Sequence, residues 1–130
     1  FNITLEQAVK FTIESIFSMK GREVFVPKIP SYNIMDLAKA VNNNCTYEYV
    51  GLRPGEKLHE EMITEFDSEN AFEFNNYYII LPTSQFNDNS IVNIKSPNYI
   101  GKLNSGFCYN SRDNTEFLDI KQLKNMIQKI

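Results

Sequence analysis

Gly51-Leu52-Arg53-Pro54-Gly55-Glu56-Lys57-Leu58-His59-Glu60 is the densest cluster of chemically capable polar groups in the chain and lies near its middle. Gly51 and the Pro54-Gly55 pair punctuate the backbone, so the segment reads as a strand end, a tight turn and a helix start. Pro54 fixes its own φ and pushes Arg53 towards an extended conformation. Gly55 can adopt a positive φ where other residues are strained. A guanidinium is thereby held out at the end of a strand, with the Glu56 carboxylate and the Lys57 ammonium just beyond. That arrangement suits a phosphate or diphosphate, because arginine offers a permanently charged planar fork that matches phosphate oxygens. A helix start after the turn would add free N–H groups.

Working outward, Tyr47-Glu48-Tyr49-Val50 reads as the strand that feeds the turn. Before it, Ile34, Leu37, Ala38 and Val41 give one face of a helix capped by Asn33 or Ser31 and ended by Asn42 to Asn44. Glu23-Val24-Phe25-Val26-Pro27 is a short strand that Pro27 stops. Strand, helix, strand in that order favours a βαβ unit with a parallel pair and a right-handed crossover. The Arg53 turn then lies at the carboxyl end of the second strand, where ligands of α/β sheets tend to sit. Upstream, Thr4-Leu5-Glu6-Gln7 is a capping box for a helix that runs to about Met19, with Leu5, Ala8, Val9, Thr12, Ile13, Ile16 and Phe17 as its buried face and Gly21 ending it.

Downstream, Lys57 to Thr64 reads as a short helix with Leu58 and Met62 inward, and Asp67 to Asn70 as a polar break. Ala71-Phe72-Glu73-Phe74 alternates, and Tyr77-Tyr78-Ile79-Ile80-Leu81 is strongly β-prone up to Pro82. Residues 83–105 show no period and are expected to form an irregular loop or arm. Phe107-Cys108-Tyr109 reads as a further short strand. Asp119 and Gln122 box the start of a last helix with Ile120, Leu123, Met126, Ile127 and Ile130 on its apolar face. No linker divides the chain, so 1–130 is expected to be one domain or part of a larger one.

With 42% hydrophobic residues, ten Phe and seven Tyr, the chain has enough apolar material for a packed core. A net charge of -3 and a pI near 5.2 argue against nucleic acid or an anionic membrane as partner, since either selects a basic face. No apolar run is long enough to span a bilayer, and the amphipathic start does not read as a signal peptide. Cys45 and Cys108 lack metal-ligand spacing and suit free thiols in a reducing, cytoplasmic compartment. The five glycines never approach G-x-G-x-x-G. No H-E-x-x-H, G-x-S-x-G or Cys/His cluster occurs. On its residues alone the chain is a small α/β domain with one anion-binding turn and no self-sufficient catalytic set.

Several stretches resemble the C-terminal part of the inverting UDP-N-acetylglucosamine 4,6-dehydratases, in the extended short-chain dehydrogenase/reductase superfamily. They are Ile3-Thr4-Leu5-Glu6-Gln7-Ala8-Val9, Glu23 to Ser31, Asp36 to Ala40, Gly51 to Glu60 with Met62-Ile63, Tyr77 to Pro82, and Tyr109-Asn110-Ser111 with Asn114 and Leu118. The resemblance covers nearly the whole chain outside residues 83–105. It implies a small βαβ-containing substrate-binding lobe, with the Rossmann lobe absent and with it the catalytic residues. The whole enzyme of such a family binds NADP(H) in the lobe this chain lacks, oxidises the sugar at C4, eliminates water across C5–C6 and inverts C5. No cofactor is expected on this chain, UDP-N-acetylglucosamine is the implied ligand, and the full-length protein is expected to be a homo-oligomer. By resemblance Arg53 contacts the diphosphate and Glu56 contacts the ribose or positions Arg53.

Each of these residues also has a plain structural reading. Arg53 would serve equally in a surface salt bridge with Glu56 or Glu60, and Glu56 as a carboxylate favoured at a helix start. Lys28, between two prolines at a strand end, either lines the pocket or is a solvated stem. His59 reads as a hydrogen-bonding residue near the turn, with no partner at catalytic spacing. The rival functional readings are a non-catalytic interaction domain that kept this fold, and a fragment of a UDP-sugar 4-epimerase or of the retaining dehydratase.

Overall fold

The computed structural model describes residues 1–82 and 97–128, which fold into two compact units. One unit holds residues 3–28 and 61–109, and the other holds residues 1–2, 29–60 and 110–130.

In the first unit, α1 (Leu5–Ser18) opens on the capping box its sequence announces. The Thr4 hydroxyl accepts from the Gln7 N–H at 3.2 Å, and the Gln7 side chain accepts from the Thr4 N–H at 3.0 Å. Gly21 and Arg22, both at positive φ, reverse the chain into β1 (Val24–Pro27). The unit continues with β2 (Glu61–Ile63), α3 (Glu65–Ser68), β3 (Ala71–Phe74), β4 (Tyr77–Ile80) and β5 (Tyr99–Lys102). Four strands form one antiparallel sheet in the order β1-β4-β3-β5. Val26 faces Tyr78 across β1–β4, and Phe72 faces Ile79 across β3–β4. Pro27 ends an edge strand, the place in a sheet where a missing N–H costs least. Phe72, Phe74 and Leu81 make the core, with Tyr77 and Ile79 packed on it and the Phe74 and Tyr77 rings stacked at 4.7 Å. β2 pairs with β6 (Tyr109–Asn110), whose Tyr109 belongs to this unit.

In the second unit, α2 (Ile34–Val41) is capped by Asn33, whose side chain accepts from the Met35 N–H at 2.8 Å. It packs on α4 (Ile120–Ile127), which starts at the Asp119–Gln122 capping box. Ala40 and Leu123 are its buried apolar residues. Buried Ser31 is the knot of the unit. Its N–H donates to the Glu116 carbonyl, its carbonyl accepts from the Leu118 N–H, and its hydroxyl accepts from the Asn114 amide at 3.0 Å.

The mixture of helix and strand is as the sequence predicts, but several local expectations are corrected. No parallel βαβ unit forms among the described residues: β1 takes β4 as an antiparallel neighbour, and Tyr47–Val50 forms no strand. A β-prone run becomes a strand only when a ladder partner supplies its hydrogen bonds, and no described strand pairs with this one. Lys57 to Thr64 is not a helix. Residues 58–59 bend, 61–63 form β2, and the Thr64–Asp67 capping box starts α3, which runs into the expected polar break of Asp67 to Asn70. Within 97–105 the expected loop holds β5, bonded to β3, while its residues 83–96 lie outside the described ones. On α2, Ile34 and Val41 are exposed and not part of a buried face. Of the face expected to bury on α1 only Ala8 is half-buried, the rest being exposed, and the helix lies on the sheet unit through Ala8, Phe11 and Ser15. The Phe11 ring sits 6.2 Å from that of Tyr77.

Candidate functional site

Residues 51–60 belong to the second unit and carry no helix or strand. Their shape comes from glycine, proline and one carboxylate. The Glu56 N–H donates to the Arg53 carbonyl at 3.0 Å, closing a four-residue turn. Pro54 supplies the fixed φ of its second position, and Gly55, at φ 87, the positive φ of its third, which is a type II turn. Gly51 sits at φ 76 just before it. A Cβ at either glycine would meet nothing within 4 Å, so the need for glycine is conformational and not steric. The Glu56 carboxylate folds back and accepts from the Arg53 N–H at 2.8 Å. The turn is therefore closed from both ends, by the Arg53 carbonyl and by the Arg53 amide.

The far end of the segment is held by the 110–113 loop. The Ser111 N–H donates to the Glu60 carbonyl at 2.8 Å, and the Ser111 hydroxyl accepts from the Glu60 N–H at 2.9 Å. That loop is itself built on Asn110, whose side-chain oxygen accepts from the N–H groups of Arg112 and Asp113 at 2.9 and 2.8 Å. The Arg112 guanidinium grips the Asp113 carboxylate through Nε and Nη2, at 3.1 and 3.0 Å. That hydrogen bond, then the one from Asn110, holds the Asp113 carboxyl below its usual range, and the charge of nearby His59 adds a smaller pull. His59 thus has an acidic neighbour that sequence spacing did not show.

All ten residues of the segment are exposed. Among the described residues Arg53 and Lys57 enter no ion pair, so the salt bridge that Arg53 was weighed against does not form. The Glu56 carboxylate is engaged with backbone and leaves the Arg53 fork open to solvent. Lys28 is placed differently. It lies in the first unit, where its ammonium is 2.6 Å from the Glu73 carboxylate and 4.8 Å from the centre of the Tyr78 ring. Arg53 and Glu56 are brought together by the structure, and Lys28 is committed to a pairing of its own. The sequence reading passed over Arg112, and quoted Ser111 only within the resemblance and not as a site residue. The clue was turn chemistry, since Asn110-Ser111-Arg112-Asp113-Asn114 is a run of residues that bond their own backbone.

No group of three or more potential metal ligands occurs among the described residues, and no described helix is long and apolar enough to cross a membrane.

The chain is similar to known proteins along almost its whole length. It is 43% identical over 131 residues to the UDP-N-acetylglucosamine 4,6-dehydratase (inverting) of a Campylobacter jejuni serotype O:2 strain, a match that takes in 98% of this chain and 39% of that protein. The protein of the same description from a serotype O:23/36 strain is 41% identical, again over 98% of this chain and 39% of its own length. The chain thus spans about two fifths of the curated relatives it matches. Among solved structures, the X-ray structure of Pen from Bacillus thuringiensis superposes with a TM-score of 0.76 at 30% identity, over 98% of this chain and 37% of that one. A family model described as polysaccharide biosynthesis protein matches residues 1–82, so the chain belongs to the polysaccharide biosynthesis protein family.

Proposed function

We propose that this chain is the UDP-sugar-binding portion of an inverting UDP-N-acetylglucosamine 4,6-dehydratase, a cytoplasmic NADP-dependent lyase of nucleotide-sugar and polysaccharide biosynthesis. The observation that carries this is the 43% identity along 98% of the chain to a protein of that description. The Arg53 turn supports it, because an exposed guanidinium on a hydrogen-bonded bend, with no carboxylate partner among the described residues, is suited to bind the two phosphates of UDP. Glu56 shapes that bend from behind. The residues of this chain do not fit NADP(H): its glycines stand singly, with no run that would bring backbone against a pyrophosphate. The cofactor would be held by the rest of the longer protein, and no step of the reaction is assigned to residues here.

The test is made with that longer protein. UDP-N-acetylglucosamine is supplied and the product identified, and UDP affinity is measured for the parent and for Arg53→Ala. A 4-keto-6-deoxy sugar inverted at C5, with UDP binding weakened about 10- to 100-fold in the variant, is the expected result. A 4-epimer as product would replace the reaction, and UDP affinity unmoved by Arg53→Ala would remove the site. An interaction domain that had kept the fold would show neither product nor saturable binding.

A further inference from the structure

We propose that Ser111 is a positioning residue for the Arg53 turn: it fixes where the guanidinium stands, and so sets the affinity for a nucleoside diphosphate without touching it. The proposal rests on the reading of Arg53 as the group that meets the two phosphates. The hydrogen bonds inside the turn, from the Glu56 N–H to the Arg53 carbonyl and from the Arg53 N–H to the Glu56 carboxylate, give it a shape and not a place. No helix or strand runs through residues 51–60, and all ten are exposed. Gly51, at φ 76, adds little stiffness where the chain enters the segment. Among the described residues, the hydrogen bonds from this segment to a distant part of the chain are the two between Glu60 and Ser111. Ser111 supplies both, an N–H that donates to the Glu60 carbonyl and a hydroxyl that accepts from the Glu60 N–H, at 2.8 and 2.9 Å. Glu60 is thereby paired as a residue in a strand ladder would be, with a hydroxyl standing in for a carbonyl.

Ser111 is itself placed by its neighbours. The Asn110 side-chain oxygen accepts from the Arg112 and Asp113 N–H groups, and the Asn110 amide donates to the Asp113 carboxylate at 3.1 Å. The next residue, Asn114, donates from its side-chain amide to the Ile29 carbonyl at 2.8 Å and to the Ser31 hydroxyl at 3.0 Å. Ser31 is 1% exposed. A continuous line therefore runs from a buried serine through Asn114 and the 110–113 loop to Ser111, and on to Glu60. All of its members belong to one compact unit. Half-buried Ser111 stands where that line reaches the exposed segment. Place matters here because the parallel bonds of a guanidinium to phosphate hold only in a narrow geometry, which a shift of about 1 Å spoils. A serine with a purely structural role would lose stability on truncation and leave the affinity for UDP alone.

The longer protein is titrated with UDP as the parent, as Ser111→Ala, Ser111→Thr and Arg53→Ala, and as the double variant of Ser111→Ala with Arg53→Ala. Ser111→Ala should weaken UDP binding about 5- to 10-fold. Ser111→Thr keeps the hydroxyl oxygen and should bring affinity back to within about twofold of the parent. In the Arg53→Ala background Ser111→Ala should cost less than about twofold, because a residue that acts through the guanidinium then has nothing left to place. Undiminished affinity in Ser111→Ala would overturn the proposal. So would a loss that threonine does not restore, or one that persists in full without Arg53, since the hydroxyl would then act on the ligand or the fold directly. Should Ser111→Ala fail to fold, Asp113→Ala makes the same test by loosening the loop with Ser111 in place. A loss of about two- to fivefold is expected, again absent without Arg53, and no loss overturns the proposal. The two readings fail separately. Arg53→Ala that leaves UDP affinity unmoved takes both down, while a weakened Arg53→Ala beside an unchanged Ser111→Ala sinks the positioning role alone.

Discussion

Residues 71–81 and residues 51–60 are stretches of similar length that use their side chains in opposite ways. In the first, β3 is bonded on both sides by β4 and β5, Phe74 is 1% exposed, and even the one acid, Glu73, is matched to Lys28. In the second, every residue is exposed, the backbone is shaped by one turn and one clasp, and the Arg53 guanidinium has no ion-pair partner among the described residues. Regular hydrogen bonding and burial fix a strand pair whatever it touches. A turn built from Pro54, Gly55 and the Glu56 carboxylate fixes only backbone, and leaves side chains available for a ligand. Substitution in the first stretch should therefore act on folding, and substitution in the second on binding.

The largest effect should come from Phe74→Ala, which empties the centre of the core. A loss of about 3–5 kcal/mol in denaturant unfolding is expected, or failure to fold. A loss under about 1 kcal/mol would mean that β3 is not the rigid partner in this contrast.

Arg53→Ala should invert the pattern. The 10- to 100-fold loss of UDP affinity expected above should come with a change in unfolding free energy within about 0.5 kcal/mol, since the side chain is exposed and enters no ion pair among the described residues. A large stability loss would show that the guanidinium has a structural partner after all.

The sheet should also show its own response to alkali. Burial first, then the charges of Glu73 and Tyr109, pushes the Tyr78 hydroxyl up to about 12. The folded state holds its proton more tightly than the unfolded chain, so this contribution is complete below about pH 10 and is lost as pH rises through about 12. Thermal midpoints should fall across that window, and Tyr78→Phe should flatten the fall. Arg53 variants should leave it unchanged.

The smallest effect sharpens the second stretch. Glu56→Ala removes the acceptor for the Arg53 N–H and should weaken UDP binding several-fold with little change in stability. Glu56→Gln keeps an oxygen acceptor in place and should restore most of the affinity. If Gln fails as badly as Ala, the carboxylate charge itself is what the ligand needs.

The same contrast explains how much could be read from sequence. Local chemistry was legible: Thr4 with Gln7, Asn33, and Asp119 with Gln122 each start a helix as their types and spacing predict. The bend at Pro54-Gly55 was legible too, and so was Phe72-Glu73-Phe74 as a strand. Pairing was not. β1 finds β4 some fifty residues later in sequence, and nothing in Val24-Phe25-Val26 specifies that partner over Tyr47–Val50. Thr64-Glu65-Phe66-Asp67 carried a capping box that the longer apolar spacing around it concealed. On α1 the apolar stripe was visible, but its period cannot say that the sheet takes the side carrying Phe11 and Ser15. At the candidate site Arg53 and Glu56 followed from the turn. The grip of Arg112 on Asp113 is local, but the hold of Ser111 on Glu60 joins loops about fifty residues apart, and only the fold brings those together.

That hold of Ser111 on Glu60 separates anchorage from chemistry. Both hydrogen bonds use the backbone of Glu60 and none uses a side chain from Leu52 to His59. Side chains from Leu52 to His59 can thus be substituted without touching that footing, which a different part of the polypeptide supplies. A scaffold arranged this way lets ligand preference drift at the tip while the socket beneath it stays the same.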